Sequence, residues 1–545
     1  MIVLGIHGGT TIRQHEPAAA VIIDGKIAAV CEEERYLRIK GCYGMLPGMA
    51  IAACLRDAGI TMQDVDLVAT PGSTYHQFDD IVASYLRHNF GHVPPIHRFH
   101  HQLAHVATAF YGSGYKESLC LSLDASGDGT SGVLAYAHRD SGVVELDIIP
   151  STSSIGKFYT LMTYYLGFSD GDEYKVMGLA PYGNPEIDLS EVIRVVDGGW
   201  AFNQSFMRDS PPLSSPFEAT YSERLPALLG KSHRLPGQEM EPYYCNVAAS
   251  TQKALEECVM SLLHKLATLR PSVRSLCYAG GVAMNCVANH RLIKSGLFDR
   301  VYIPPVTSDR GLALGCAYLG AVSLGDTPEA IPHAYLGTAY GDDAIREELI
   351  GNGCTFTELE NPSETAAELI AQGRIIGWHQ GRSEAGARAL GNRSILARPG
   401  GTEVRDQVNA RIKFRESFRP FAPAVLAEKA DDFFVLDGIE SPYMCSTFPA
   451  RQAQAENLAA VTHTDGSARV QTVDFKRNPR FYSLIDHLGR LTGTPVVLNT
   501  SFNLKGQPIV ETPRDALMTF FGCGLDDLIV GRFRVAKSWG QRRHQ

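Results

Sequence analysis

The sequence predicts an α/β protein with a duplicated N-terminal domain and a smaller second α/β domain, and three observations carry that reading. A chain of 545 residues exceeds what one hydrophobic core holds, and about two to four domains are usual at that length. One plan of strand, Gly turn and hairpin occurs twice, at "MIVLGIHGG" with "AAAVIIDGKIAAV" and at "LCLSLDASGDGTSGVLAYAHRDSGVVEL". After "YLGTAYGDD" the pattern changes, and a new alternation of strands and helices begins.

Taken in order, Asp24-Gly25 joins the two strands of the first hairpin, since both residue types accept the positive φ of a tight turn. "SLCYAGGVAMNCVANHRLI" reads as a strand running into Gly280-Gly281 and then a helix, followed by the strand "RVYIPPV" and the helix "RGLALGCAYLGA". Duplicated units of this kind, with Gly turns where nucleotide phosphates sit, build the lobes of the actin, sugar kinase and Hsp70 superfamily. A boundary is expected near residue 345, giving domains 1–345 and 346–545. In the second, strands are expected near 374–379, 394–398, 469–474, 495–500 and 527–535, with helices near 403–412, 480–491 and 514–521.

Composition narrows the function classes. Hydrophobic residues at 44% and charged residues at 20% are those of a globular protein, and no apolar run approaches the roughly 18 residues of a membrane helix. The net charge of −9 weighs against broad contact with a nucleic-acid backbone. Of twelve cysteines, none lie closer than Cys277 and Cys286, so there is no CxxC motif and no disulfide framework. The opening residues show neither a basic n-region nor a cleavage site, and a cytoplasmic location is expected.

The residues with chemistry begin at "FHHQLAH". On a helix His101 and His105 share a face, and two imidazoles four apart can bind one transition-metal ion or can simply be hydrogen-bonded in the interior. Asp124 in "LSLDASGDG" ends a strand at a Gly turn, and Asp309 in "TSDRGLALG" precedes a helix. Each has a structural alternative, as turn former and as N-cap. Together the four would make a His₂Asp₂ set suited to iron(II), manganese or zinc.

"HEPAAAVIIDGKIAAVCEEERYLRIK", "HHQLAH", "SLDASGDG", "DEYKVMGLAPYG", "AGGVAMNCVAN", "TSDRGLALG", "GARALGNRSIL", "KFRESFRPFAP", "DGSARVQTV" and "LNTSFNLKGQPIV" follow one another in the order found in the NodU/CmcH-type O-carbamoyltransferases, and nearly the whole chain resembles that family. The resemblance implies a Kae1-like N-terminal domain and a YrdC-like C-terminal domain. It implies Fe(II), or another divalent transition metal, at His101, His105, Asp124 and Asp309, with His100 packing or hydrogen-bonding nearby. Gly127, Asp128, Lys175 and Gly178 would line a nucleotide cleft, and Gly280, Gly281, Val282 and Asn285 would hold adenosine beside a helix N-terminus. His15 would meet the acceptor hydroxyl, as an imidazole titrating near neutrality can. Glu16-Pro17-Ala18 stands where the family shows Asp-Ala-Ser, a departure that bears on the acceptor pocket.

In the second domain, residues 382–419 hold nine Arg or Lys and four Asp or Glu, a surplus of +5 within a chain of net −9. Arg388, Arg393, Lys413, Arg415 and Arg419 are the expected anion-binding groups, with Arg469, Asn499, Ser501 and Asn503 adding donors at strand ends. Ala387 replaces the family's proline before Arg388. The resemblance implies that this domain makes carbamoyl-adenylate from carbamoyl phosphate and ATP with Mg²⁺, and that the first moves the carbamoyl group to a hydroxyl of a small natural product. A carbamoyl group on AMP hydrolyses in water, which is a physical reason to keep both steps on one chain. The rivals are a threonylcarbamoyl-adenylate-dependent tRNA modifier and a nucleotide-gated binding module without group transfer. Neither nucleic acid nor membrane is expected as a partner, and the oligomeric state is left open.

Overall fold

The computed structural model describes residues 1–9, 14–208, 221–416 and 418–537. The chain divides into two compact units. The first comprises Met1–Val30 with Tyr43–Ile331, and the second Cys31–Cys42 with Pro332–Gln545. The main junction thus lies between Ile331 and Pro332, and a twelve-residue stretch near the N-terminus belongs with the second unit.

The first unit holds two five-stranded sheets. Strands β1 (Ile2–His7), β2 (Ala18–Ile23), β3 (Lys26–Glu32), β4 (Leu67–Pro71) and β5 (Ile96–Phe99) make one, in the order β3-β2-β1-β4-β5. Strands β6 (Glu117–Gly127), β7 (Thr130–His138) and β8 (Gly142–Pro150) precede a hairpin of β9 (Ile193–Val196) and β10 (Gly199–Phe202); β11 (Ser275–Ala279) and β12 (Arg300–Tyr302) then complete a second sheet, β12-β11-β6-β7-β8. In both, the founding strand pairs antiparallel with its hairpin neighbour and parallel with a later strand. The expected duplication is therefore present strand for strand. Asp24 and Gly25 take φ values of 47° and 79° at the first hairpin turn, as that turn requires.

Close helix packing follows from small residues. The helix Leu312–Ser323 is buried on nearly all sides, as its LALGCAYLGAVS sequence dictates. A Cβ at Gly315 would lie 1.9 Å from the Ala104 carbonyl, so glycine lets this helix touch the helix His101–Ser113. Thr108 Oγ1 donates to the Gly311 carbonyl at 2.8 Å across the same contact. The 28-residue helix Pro242–Leu269 is absent from the sequence-based expectations.

The second unit is built on one mixed eight-stranded sheet. Its strands are β13 (Phe356–Glu358), β14 (Ile376–His379), β15 (Arg393–Ala397) and β16 (Ala422–Leu426), then, beyond a small two-stranded sheet of β17 (Phe448–Pro449) and β18 (Ser467–Ala468), β19 (Gln471–Val473), β20 (Val496–Ser501), β21 (Asp527–Val530) and β22 (Phe533–Ala536). Their order is β13-β22-β21-β14-β15-β20-β16-β19. Three expected elements are corrected here. The strand at 527–535 is a hairpin broken at Gly531, the strand at 469–474 is confined to β19, and the helix at 403–412 stops at Val408 and continues as a wider π turn over Asn409–Lys413. The helices Pro479–Thr492 and Pro513–Phe521 lie where the sequence places them, each opening on a polar N-cap followed by proline.

Candidate functional site

Two clusters of charged side chains stand out, one within each unit. In the first, His101 and His105 lie one turn apart on the helix His101–Ser113, Asp124 sits in β6, and Asp309 opens the short turn that leads into the helix Leu312–Ser323. Their donor atoms all fall within 4.8 Å of one another. His101 Nε2 is 3.1 Å from Asp124 and 3.5 Å from Asp309, and His105 Nε2 is 3.6 and 3.5 Å from the same two carboxylates.

These spacings fit a shared cation. Donors about 2.0–2.2 Å from one tetrahedral ion sit roughly 3.3–3.6 Å apart. Among the described residues neither ring nitrogen of fully buried His105 has a hydrogen-bond partner, a cost that an ion between the groups removes. Gly127 completes the cradle, because a Cβ there would lie 2.2 Å from the His101 ring. A Cβ on Gly281 would come within 2.8 Å of Asp124 Oδ1. The four groups interact strongly with one another. Burial alone would lower the His101 pKa, but Asp309 and Asp124 outweigh it and raise it to about 10. Burial resists ionisation of both aspartates as well, yet their histidine partners hold them below the usual carboxylate range.

The surroundings hold this quartet in place. Asp128 accepts from Ser73 and Thr74 and from the His101 amide at 2.8 Å, so it fixes the N-terminus of the histidine helix. His100 is the N-cap, its Nδ1 accepting from the Gln102 amide. His15 is half-buried with its ring 5.5 Å from Tyr43. Burial lowers its pKa, and Asp309, Glu16 and Asp124 more than restore it. Glu16 binds Ser308 and Arg310, each at 2.6 Å, and so ties the segment carrying His15 to the turn carrying Asp309.

Sequence reasoning passed over His7. It ends β1, is buried, donates from Nε2 to the His15 carbonyl at 3.0 Å, and stands 3.6 Å from Asp309 Oδ2. Its place at the end of a founding strand, before two glycines, was the available signal.

The remaining first-unit residues frame the quartet less directly. Gly280 takes φ 93° and packs on the Leu123 carbonyl, with Gly281 and Val282 in the turn that follows. Asn285 caps the helix Cys286–Lys294 and is held by Gln252. Lys175 pairs with Asp172 at 2.8 Å on the same helical turn, and Gly178 lies in the helix Glu173–Leu179. A contact between Cys286 and Met177 joins that helix to the one capped by Asn285.

In the second unit Lys413, at the end of the π turn, is buried. Its Nζ donates to Ser501 and Asn503, 2.8 Å from Asn503 Oδ1 and 3.2 Å from Ser501 Oγ. Burial first, then Arg415 and Arg419, hold its pKa well below the usual value. Arg415 lies 4.2 Å over the Phe421 ring, and Arg419 pairs with Glu416. Asn499 reaches the Ala389 carbonyl and Gln471, next to half-buried Arg388. Arg469 is half-buried, and among the described residues its Nε has no hydrogen-bond partner. Arg393 is placed otherwise than an open anion receptor. Its enclosed guanidinium donates to the carbonyls of Gln380, Gly381, Asn392, Thr338 and Glu511, and it serves as a strut.

Comparison with known proteins meets this geometry at both sites. The family description "Carbamoyltransferase N-terminus" matches residues 70–318, which contain the whole His₂Asp₂ quartet, and "Carbamoyltransferase C-terminus" matches residues 367–537, which contain the Lys413 cluster. Nodulation protein NolNO of Sinorhizobium fredii is 36% identical over 98% of this chain and 83% of its own length. The 3'-hydroxymethylcephem-O-carbamoyltransferase of Amycolatopsis lactamdurans is 35% identical over half of each chain. Among solved structures, T. kodakarensis HypF is similar at 15% identity with a TM-score of 0.32, over 59% of this chain and 47% of its own. With full-length identity of this order and both halves matched in sequence, the chain belongs to the carbamoyltransferase family.

Proposed function

We propose that the protein is an ATP-dependent O-carbamoyltransferase that works in two stages, with a small-molecule hydroxyl as the acceptor. The observation that carries this is the presence of two unlike sites, a His₂Asp₂ quartet in the first unit and a buried lysine among Arg415, Arg419, Ser501 and Asn503 in the second. In the second unit, water would open carbamoyl phosphate to carbamate and phosphate. A carbamate oxygen would then attack the α-phosphorus of ATP and expel pyrophosphate, leaving carbamoyl-adenylate. Lys413 and the arginines are the groups suited to hold the phosphates as charge moves.

In the first unit the acceptor oxygen would attack the carbamoyl carbon, the bond to the AMP oxygen would break, and the hydroxyl proton would pass to His15. A divalent metal, Fe(II) by family resemblance, would be held by His101, His105, Asp124 and Asp309 and would supply Lewis-acid polarisation of the carbamoyl oxygen. Glu16 and His7 would keep His15 in register with Asp309. The test is pyrophosphate release that requires both ATP and carbamoyl phosphate. Lys413→Ala should cut that release by roughly 30- to 1000-fold, the worth of one well-placed charge. Release at the wild-type rate without carbamoyl phosphate, or from Lys413→Ala, would contradict the reading.

A further inference from the structure

The stretch 31–42 folds with the second unit although its sequence neighbours belong to the first. Its five-residue helix Glu33–Leu37 and the preceding residue bury four charged side chains, Glu32, Glu33, Glu34 and Arg35. Two of these grip a single residue from both sides, one at each of its flanking peptide groups. Glu32 Oε1 accepts from the Gly386 amide, and Arg35 Nη2 donates to the Gly386 carbonyl at 2.7 Å. Gly386 itself has φ 107°, in the region that favours glycine. Beyond the helix, Arg38 Nη2 donates to the Pro508 carbonyl at 2.9 Å, which anchors the stretch at its other end.

Past Arg388 the segment is held again, from the Ala389 carbonyl onward. Asn499 donates to the Ala389 carbonyl at 3.2 Å, and Tyr335 and Gln471 each donate to the Leu390 carbonyl at 2.8 Å. Glu384 Oε1 accepts from the amides of Leu390, Asn392 and Arg393. Arg388 therefore stands half-buried between a grip at residue 386 and another at 389. Charged partners give stronger hydrogen bonds than neutral ones, and a loop fixed this heavily presents one side chain in one place.

We propose that Glu32 and Arg35 are positioning residues for the activation step: by clamping Gly386 at both of its peptide groups they set the loop that brings Arg388 to a phosphate group of the activation substrates. The proposal rests on the reading that the second unit forms carbamoyl-adenylate. Misplacement of about 1 Å can cost on the order of 100-fold in rate, so the clamp should matter although neither residue touches the phosphate.

The experiment measures pyrophosphate release by the full-length protein with ATP and carbamoyl phosphate varied separately. Arg35→Lys keeps the charge but shortens the reach, and Glu32→Ala removes the acceptor. Each should lower kcat/KM by roughly 30- to 100-fold, with the KM that rises identifying whether ATP or carbamoyl phosphate supplies the phosphate. Glu32→Gln, which keeps an acceptor oxygen, should recover most of the loss. In an Arg388→Ala background, Arg35→Lys should cost no further activity beyond about twofold, since a residue that acts only through Arg388 has nothing left to position. A loss that multiplies in the double variant, or an Arg388→Ala enzyme of undiminished activity, would overturn the proposal. Lys413→Ala, run alongside, separates the outcomes. Full activity there shows that the activation reading itself fails, whereas its loss with unaltered Arg35→Lys and Glu32→Ala enzymes rejects the clamp alone.

Discussion

Gly127 shows how much chemistry one absent methyl group can carry. The family resemblance expects it to line a nucleotide cleft, and in the structure it stands against the His101 ring, where a Cβ would lie at 2.2 Å. It is not among the residues of positive φ, so alanine there meets a steric obstacle and no backbone strain. Gly127→Ala is expected to displace His101 and to lower metal content by tenfold or more, the usual size of a disturbed ligand setting, while the second unit's pyrophosphate release stays near wild type. Elemental analysis of the purified variant checks it, and full metal occupancy would show that the ring has room to move. The quartet itself was legible because HxxxH and two strand-end aspartates are local patterns. His7 and Glu16 were not, since their roles depend on Asp309 and Ser308, about 300 residues away.

At the scale of elements, the N-terminus of the histidine helix depends on Asp128. Its carboxylate gathers donors from Ser73, Thr74 and the His101 amide. Burial would raise its pKa, but these hydrogen bonds outweigh that and hold it below 3.8. A carboxylate depressed in the folded state stabilises the fold fully above its unfolded value, and the contribution is lost as pH falls through the folded one. Asp128→Ala is therefore expected to lower stability at pH 7 by about 1–3 kcal/mol, and this difference from wild type should shrink as the pH falls below 3.8. Denaturant titrations at two pH values measure both; a difference that grows in acid would assign the carboxylate another role. Elements with strong local signals were readable in advance, such as the proline-started helices Pro479–Thr492 and Pro513–Phe521. The π turn at Asn409–Lys413 was not, because periodicity carries the helix straight through, whereas buried Lys413 turns to meet Ser501 and Asn503.

At the scale of the whole molecule, the duplicated sheets of the first unit were visible as a repeated strand and hairpin pattern, since each copy is contiguous in sequence over its first three strands. The membership of residues 31–42 in the second unit was invisible, because nothing local to "CEEERYLRIKGC" states which core its charges will join. Among the described residues no helix is long and apolar enough to cross a membrane. Two units with two unlike charged sites make a division of labour the central claim, and feeding the intermediate tests it most directly. Synthetic carbamoyl-adenylate is supplied to Lys413→Ala and to Asp309→Ala with a hydroxyl acceptor first identified by screening the wild type. The account predicts that Lys413→Ala, which releases little pyrophosphate from ATP and carbamoyl phosphate, transfers the carbamoyl group from the adenylate at near the wild-type rate. Asp309→Ala should release pyrophosphate and transfer little. Failure of Lys413→Ala to use the adenylate, together with failure of Asp309→Ala to release pyrophosphate, would contradict it.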